Sequence, residues 1–275
     1  MHDASGGDPA SRFQRIADAR IRCCCLDIQE LPQHMSARIL GGTTLVPTIS
    51  KTNELGAHMD TKGQTRSYIR DECITFRKTE EEFGGLSNMA TGYEIELNGM
   101  KIGTSEALYQ ACRFPFSAEV QEMIIEQKSP MTAKMKSKPF RSETRPDWED
   151  VRIPIMRWCI RAKLACNWVK FGELLLATGK KDIVEDSHRD RFWGAVATEE
   201  GDRLVGVNAL GRLLMELREA FAGPNRKELA FVEPPRVKDF LLLGSVIGEI
   251  KAKDSAVELG EKVFGRPRNL LDMMK

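Results

Sequence analysis

No stretch of this chain approaches the roughly 20 consecutive apolar residues that a membrane helix needs, and the N-terminus lacks the charged-then-apolar layout of a secretory signal. No C-x-x-C pair is present, and none of the four histidines lies close to a cysteine pair, which argues against a zinc site. The seven cysteines are odd in number, so a disulfide framework is not indicated and a reducing, cytoplasmic setting is expected. There is almost no net charge: at +1, the molecule as a whole is no electrostatic partner for nucleic acid or lipid, and any such affinity must be local. There is no G-x-x-x-x-G-K-[ST] loop either, so use of a nucleoside triphosphate is unsupported.

What is present is enough for a core. The chain has 275 residues, of which 41% are hydrophobic, sufficient for one large domain or one domain with tails. Residues 1–68 carry Gly6-Gly7, Gly41-Gly42 and the Cys23–Cys25 run without a strong period, and Met35 and Met59 are both plausible translation starts. A poorly ordered extension is expected there. A catalytic domain is expected over 69–224 and a C-terminal appendage over 225–275, with Pro234-Pro235 as a rigid spacer.

Within the middle segment, "CITFR" from Cys73 reads as a strand. In "YEIELNGMKI", Tyr93, Ile95 and Leu97 alternate, Asn98-Gly99 follows, and Met100 and Ile102 resume the alternation. That is a hairpin, because both turn positions require φ > 0. The rest turns helical. Val120, Met123 and Ile124 share one face; a helix is expected from Pro154 to Trp168; "KFGELLLATG" stops at Gly179. Val207, Leu210, Leu214, Leu217 and Phe221 recur at helical spacing before Gly223-Pro224. The expected architecture is α+β: a helix-dominated single domain with a small antiparallel sheet.

Several segments carry residues with chemical options. "TSEALYQACRFP" packs Glu106, Tyr109, Gln110 and Arg113 into one short helix, although an acid in a first turn also simply suits the helix dipole. Lys163 follows Met156, Cys159 and Ile160 on an apolar face, where a lysine must pair, snorkel or lower its pKa. In "EDSHRDRFWGA", Asp190 precedes Trp193 and Gly194, a stacking face and a close-approach glycine, in what is otherwise a charged surface loop. Trp148 follows a proline in a polar stretch and either pins a loop or stacks on a ligand. "FGGLSNM", with Gly85, Ser87 and Asn88, is a turn rich in backbone donors. Lys128, Lys134, Lys136, Lys138, Arg141 and Arg145 form a basic strip broken only by Glu143, either a solvated face or a phosphate-binding one.

Taken in order, "GGLSNM", "TSEALYQACRF", "SPMTAKMKSKP", "RPDWEDVRIPIMRWCIRAKL", "LLLATGKKDIVE", "DRFWGA" and "GVNALGRLLMELRE" resemble the NADAR (YbiA-like) family over Phe83 to about Phe221. None of the segments is diagnostic alone; seven in order are specific. The resemblance implies an N-glycosidase with an α+β fold, no metal and no cofactor. It places catalytic residues at Glu106, Lys163 and Asp190. It places substrate-binding residues at Trp148, Trp193, Gly194 and Asn208, with Gly211 completing the N-x-L-G motif; Gly85, Ser87 and Asn88 of the turn, and Tyr109 and Gln110 beside Glu106, are expected to bind substrate with them. The branch acting on early riboflavin-pathway intermediates carries S-E-H and N-F where this chain has Ala107 and Met89. "SEALYQACRFP" and the tail ending in "DFLLLG" look more like the branch paired with DNA-modifying ADP-ribosyltransferase toxins. The resemblance therefore implies removal of ADP-ribose from guanine bases in DNA, acting on ADP-ribosylated nucleic acid or nucleoside, with a toxin encoded nearby as the partner and no membrane. The alternatives are an N-glycosidase on riboflavin intermediates and a non-catalytic ADP-ribose-binding module.

Overall fold

The computed structural model describes residues 64–265, and the expectations for residues 1–63 lie outside them. The described residues start inside the segment assigned to the extension. Strand β1 (Arg66–Ile69) pairs antiparallel with β7 (Arg203–Gly206), which also pairs with β6 (Val196–Ala197). What fixes β1 is Tyr68, buried against Val184, Ala195 and Leu204 in a small second core. One buried side chain in four residues is too little to read as a strand from sequence.

The expected hairpin is present. β3 (Ile95–Leu97) pairs with β4 (Met100–Ile102), and Asn98 and Gly99 take φ of 49° and 76° at the turn. β2 (Ile74–Phe76) forms a parallel pair with β5 (Ile183–Glu185), far from it in sequence. Sequence reasoning anticipated no parallel pairing, because its cause is the helical connection between two three-residue strands.

Seven helices build the rest among the described residues: α1 (Ser105–Ala111), α2 (Ala118–Ile125), α3 (Pro130–Ser137), α4 (Trp148–Cys166), α5 (Trp168–Ala177), α6 (Ala209–Ala222) and α7 (Asp254–Phe264). α4 begins at Trp148, not at Pro154, which lies inside it. Proline is favoured in a first turn, which is why it reads as a start. Here it removes one backbone bond near the exposed, polar beginning of the helix, where water can satisfy the freed carbonyl of Asp150. α6 buries Leu210, Leu213, Leu214, Leu217 and Phe221. It lies directly on β5, because Gly211 has no Cβ; one there would overlap the Ile183 carbonyl.

The C-terminal segment is no appendage. Ala230, Val232, Phe240, Leu242, Ile247, Ile250 and Ala252 belong to the main core. Trp158 of α4 meets Phe240 edge-on at 5.1 Å. Gln121 of α2 is wholly buried and its amide grips this segment: Nε2 donates to the Leu241 carbonyl (2.9 Å) and Oε1 accepts from Leu243 N (2.6 Å). α7 closes over α5, with Gly260 against the Trp168 indole. The double proline disguised this continuity, since it resembles a linker.

Candidate functional site

Helix α1 is the centre. Thr104 caps it, accepting from Ala107 N at 3.2 Å, and every residue of the helix is buried, Glu106 among them at 7% exposure. Glu106 Oε1 accepts from Gln110 Nε2 at 2.9 Å. Gln110 Oε1 in turn accepts from Arg113 Nη1 at 2.9 Å, and Arg113 reaches Thr144 Oγ1 at 3.0 Å. A carboxyl, an amide and a guanidinium thus form one line along the helix.

The loop "GGLSN" abuts the start of α1. Ser105 Oγ donates to Asn88 Oδ1 (3.1 Å), Asn88 Nδ2 reaches Met156 Sδ (2.8 Å), and Glu106 N donates to the Asn88 carbonyl (3.0 Å). Ser87 Oγ accepts from Met89 N. The loop is held from beneath by Lys163, which is fully buried; its Nζ donates to the carbonyls of Gly85 (2.6 Å) and Ser87 (2.9 Å). Burial, and then the nearby charge of Lys170, push the Lys163 pKa down from 10.5 to about 7. The rings of Tyr93 and Phe171, each 4.5 Å from Nζ, favour its charged form. No carboxylate of the described residues is within ion-pair distance of it.

Three aromatic residues cluster at Tyr109 of α1. Tyr109 stands 5.0 Å from Trp148 and 5.6 Å, edge-on, from Trp193. Arg113 lies over Trp148 at 5.5 Å. Phe192 adjoins Trp193 and carries Arg152 at 3.7 Å. Burial, then Glu106, hold the Tyr109 hydroxyl well above its ordinary pKa, so it stays a neutral phenol.

The remaining expectations need correction. Asp190 is exposed, and its Oδ1 accepts from the backbone N–H of Phe192 and Trp193, both at 2.9 Å; it shapes the turn that presents Trp193. Asn208 is fully buried at φ 51°, and both ends of its amide are taken by β5: Nδ2 donates to Ile183 O (2.8 Å) and Oδ1 accepts from Glu185 N (3.1 Å). It positions the strand, and no part of it is exposed. Gly194 is buried, and a Cβ there would stand 2.5 Å from the Glu185 carbonyl, so its close approach is to the strand. In the basic strip, Arg145 is buried, forked onto Asp147 and bonded to the Lys238 carbonyl (2.6 Å). Lys134, Lys136, Lys138 and Arg141 are exposed.

One residue was not assigned from sequence. Glu185 ends β5, and burial first, then Asp190 and Glu106, push its carboxyl up from 4.5 to about 7, against a lowering by Lys134. Strand alternation from Ile183, which is core, could have found it. Among the described residues no group of three or more His, Cys, Asp or Glu is placed to hold a metal ion, and no helix is long and apolar enough to cross a membrane.

The family model of the NADAR domain matches residues 75–222, which contain Glu106, Lys163, Glu185, Asp190 and the aromatic residues of the site. The chain belongs to the NADAR family. It is 35% identical over 154 residues to N-glycosidase YbiA of Escherichia coli, covering 56% of this chain and 91% of that protein. It is 34% identical over 154 residues to the riboflavin biosynthesis protein VVA0006 of Vibrio vulnificus, covering 40% of that protein. It also matches N-glycosidase Npun_R5314 of Nostoc punctiforme at 32% identity over 90% of that protein. The NMR structure of E. coli YbiA aligns with a TM-score of 0.48 at 35% identity, covering 56% of this chain and 88% of that one.

Proposed function

We propose that this NADAR protein is an N-glycosidase that hydrolyses the bond between ADP-ribose and a guanine base in DNA. The observation that carries the reading is the buried carboxyl of Glu106 on the same short helix as Tyr109, whose ring packs against Trp148 and Trp193 and whose hydroxyl feels the Glu106 charge. Breaking an N-glycosidic bond develops positive charge at the anomeric carbon. A carboxyl oriented by Gln110 suits that charge, and two indoles suit a base that must be held flat while its bond breaks. The relatives named as N-glycosidases support the bond class. Ala107 and Met89, with the exposed lysines of α3, support the nucleic-acid substrate.

Lys163 has two roles open to it under this reading. A neutral amine has two N–H groups for the two loop carbonyls and still keeps a lone pair for the anomeric carbon. A charged one only steadies the loop. Borohydride added during turnover leaves an ADP-ribosyl adduct on Lys163 in the first case and none in the second.

The test of the function is release of free ADP-ribose from DNA carrying ADP-ribosylated guanine. Binding without release would make the chain a reading module. The second reading, cleavage of an early riboflavin-pathway intermediate, is favoured by the relatives named as riboflavin biosynthesis proteins. Turnover of a ribosylaminopyrimidine alone, with ADP-ribosylated DNA untouched, would select it.

A further inference from the structure

We propose that Glu185, at the end of β5, is the acid that protonates the leaving nitrogen. This rests on the N-glycosidase reading above.

The geometry comes first. Successive side chains of a strand point to opposite faces. In β5, Ile183 joins the main core that holds Tyr109, Trp148 and Trp193, whereas Val184 joins the small core with Tyr68 and Leu204. Glu185 therefore faces the Ile183 side, where the charges of Asp190 and of Glu106 on α1 reach it. Asp186 continues the extended chain on the Val184 side and is spent on Arg70, at 2.9 Å.

The mount of Glu185 is rigid. Its N–H is taken by Asn208 Oδ1, its carbonyl accepts from Ala195 N at 2.9 Å, and the next N–H donates to Phe76 O at 3.0 Å. Gly194 packs against the same carbonyl. With the backbone fixed at each point, the Cα–Cβ bond that carries the carboxyl has a set origin and direction. No hydrogen bond from a described residue reaches that carboxyl, unlike Glu106, which holds Gln110, and Asp190, which holds two amides. Of the three acids, it is the one with its proton-binding oxygens uncommitted.

The groups facing it are Asp190 from the following loop, Glu106 from α1 and Lys134 from α3; β2 offers Phe76 and α6 the amide of Asn208. Two like charges and burial outweigh one exposed lysine, and the carboxyl holds its proton to about pH 7.

The step balances as follows. The bond from the anomeric carbon to nitrogen breaks, and both electrons stay on the nitrogen, which takes the Glu185 proton. Glu106 faces the positive carbon. Water adds to that carbon and returns a proton to Glu185. One water is consumed, the sugar gains a hydroxyl, the base leaves with an N–H, and Glu185 ends protonated.

The experiment measures single-turnover rates against pH on DNA carrying ADP-ribosylated guanine, with carbon-13 NMR titration of the glutamate carboxyls in the free protein. The wild-type rate should fall above a midpoint near 7, by roughly tenfold per pH unit. Glu185→Gln should cut the rate about 100- to 10,000-fold and abolish that limb. One glutamate should titrate near 7, vanish in Glu185→Gln, and titrate lower in Glu106→Gln. Wild-type turnover with Glu185→Gln unimpaired overturns the acid role alone. So does a wild-type protein with no glutamate titrating above 6, whether or not the variant folds. No wild-type turnover on any N-glycoside, with the titration in place, overturns the N-glycosidase reading and the acid role with it.

Discussion

Gln110 donates to Glu106 across a single turn of α1, at 2.9 Å, while its other amide atom accepts from Arg113. The amide is thereby locked in one orientation, with its N–H side toward the carboxyl. Glu106→Gln would set two amides against each other but keep the shape. Turnover should fall about 100- to 1,000-fold, with the melting temperature little changed. Rate and thermal unfolding measured on the same preparation check this. Near-native turnover would remove Glu106 from the site.

Asp190 should respond to shape, not charge. Asparagine offers the same Oδ1 to the N–H groups of Phe192 and Trp193, whereas alanine offers nothing. Asp190→Asn should retain activity within about tenfold, and Asp190→Ala should lose much more, together with about 1 kcal/mol of stability per lost bond. Equal inactivation by both would mean that the carboxylate charge itself is used.

Lys163 should make stability depend on pH. Its folded pKa, about 7, lies below the unfolded 10.5. Between those values the unfolded chain binds the extra proton, so stability should rise with pH across that window. Below about 7 both states are protonated and the slope vanishes. Lys163→Met removes the titrating group. The difference in denaturant-derived stability between wild type and variant, measured from pH 7 to 10, should therefore narrow in the variant's favour at low pH. A parallel pair of curves would show a normal lysine.

The exposed lysines of α3 and the turn after it should read DNA as charge. Changing Lys134, Lys136 and Lys138 together to alanine should weaken binding to DNA more than to a nucleoside substrate. Each lost phosphate contact should flatten the log–log salt dependence by about one unit. An unchanged slope would assign all three to a solvated face. Arg145, already forked onto Asp147, is left out of this set.

The parts of the fold that were legible are those in which local chemistry and tertiary structure agree. Asn98-Gly99 admits few conformations between alternating apolar residues, and α6 repeats its apolar side chains until Gly223. The parts that were not legible depend on partners distant in sequence. β2 and β5 are three residues each and exist because they pair across more than 100 positions. Trp148 was misplaced into a loop because Pro154 imitates a helix start. In the site, the acid, tyrosine and glutamine of α1 follow from a single motif. The duties of Asp190 and Asn208 were invisible, because a side chain that grips backbone amides has the same letter as one that grips a ligand.

Gln121 gives the C-terminal segment a practical meaning. Its amide is shared between the end of α1, through the Ala111 carbonyl at 3.1 Å, and the strand near Leu241 and Leu243. The family match stops at residue 222, well short of that strand. A chain trimmed to the family boundary would take from this amide its partners at Leu241 and Leu243 and uncover Trp158 and Trp168 at the same stroke. The smallest portion of this protein fit for expression thus runs on through Phe264, and a loss of solubility in anything shorter would say nothing about its chemistry.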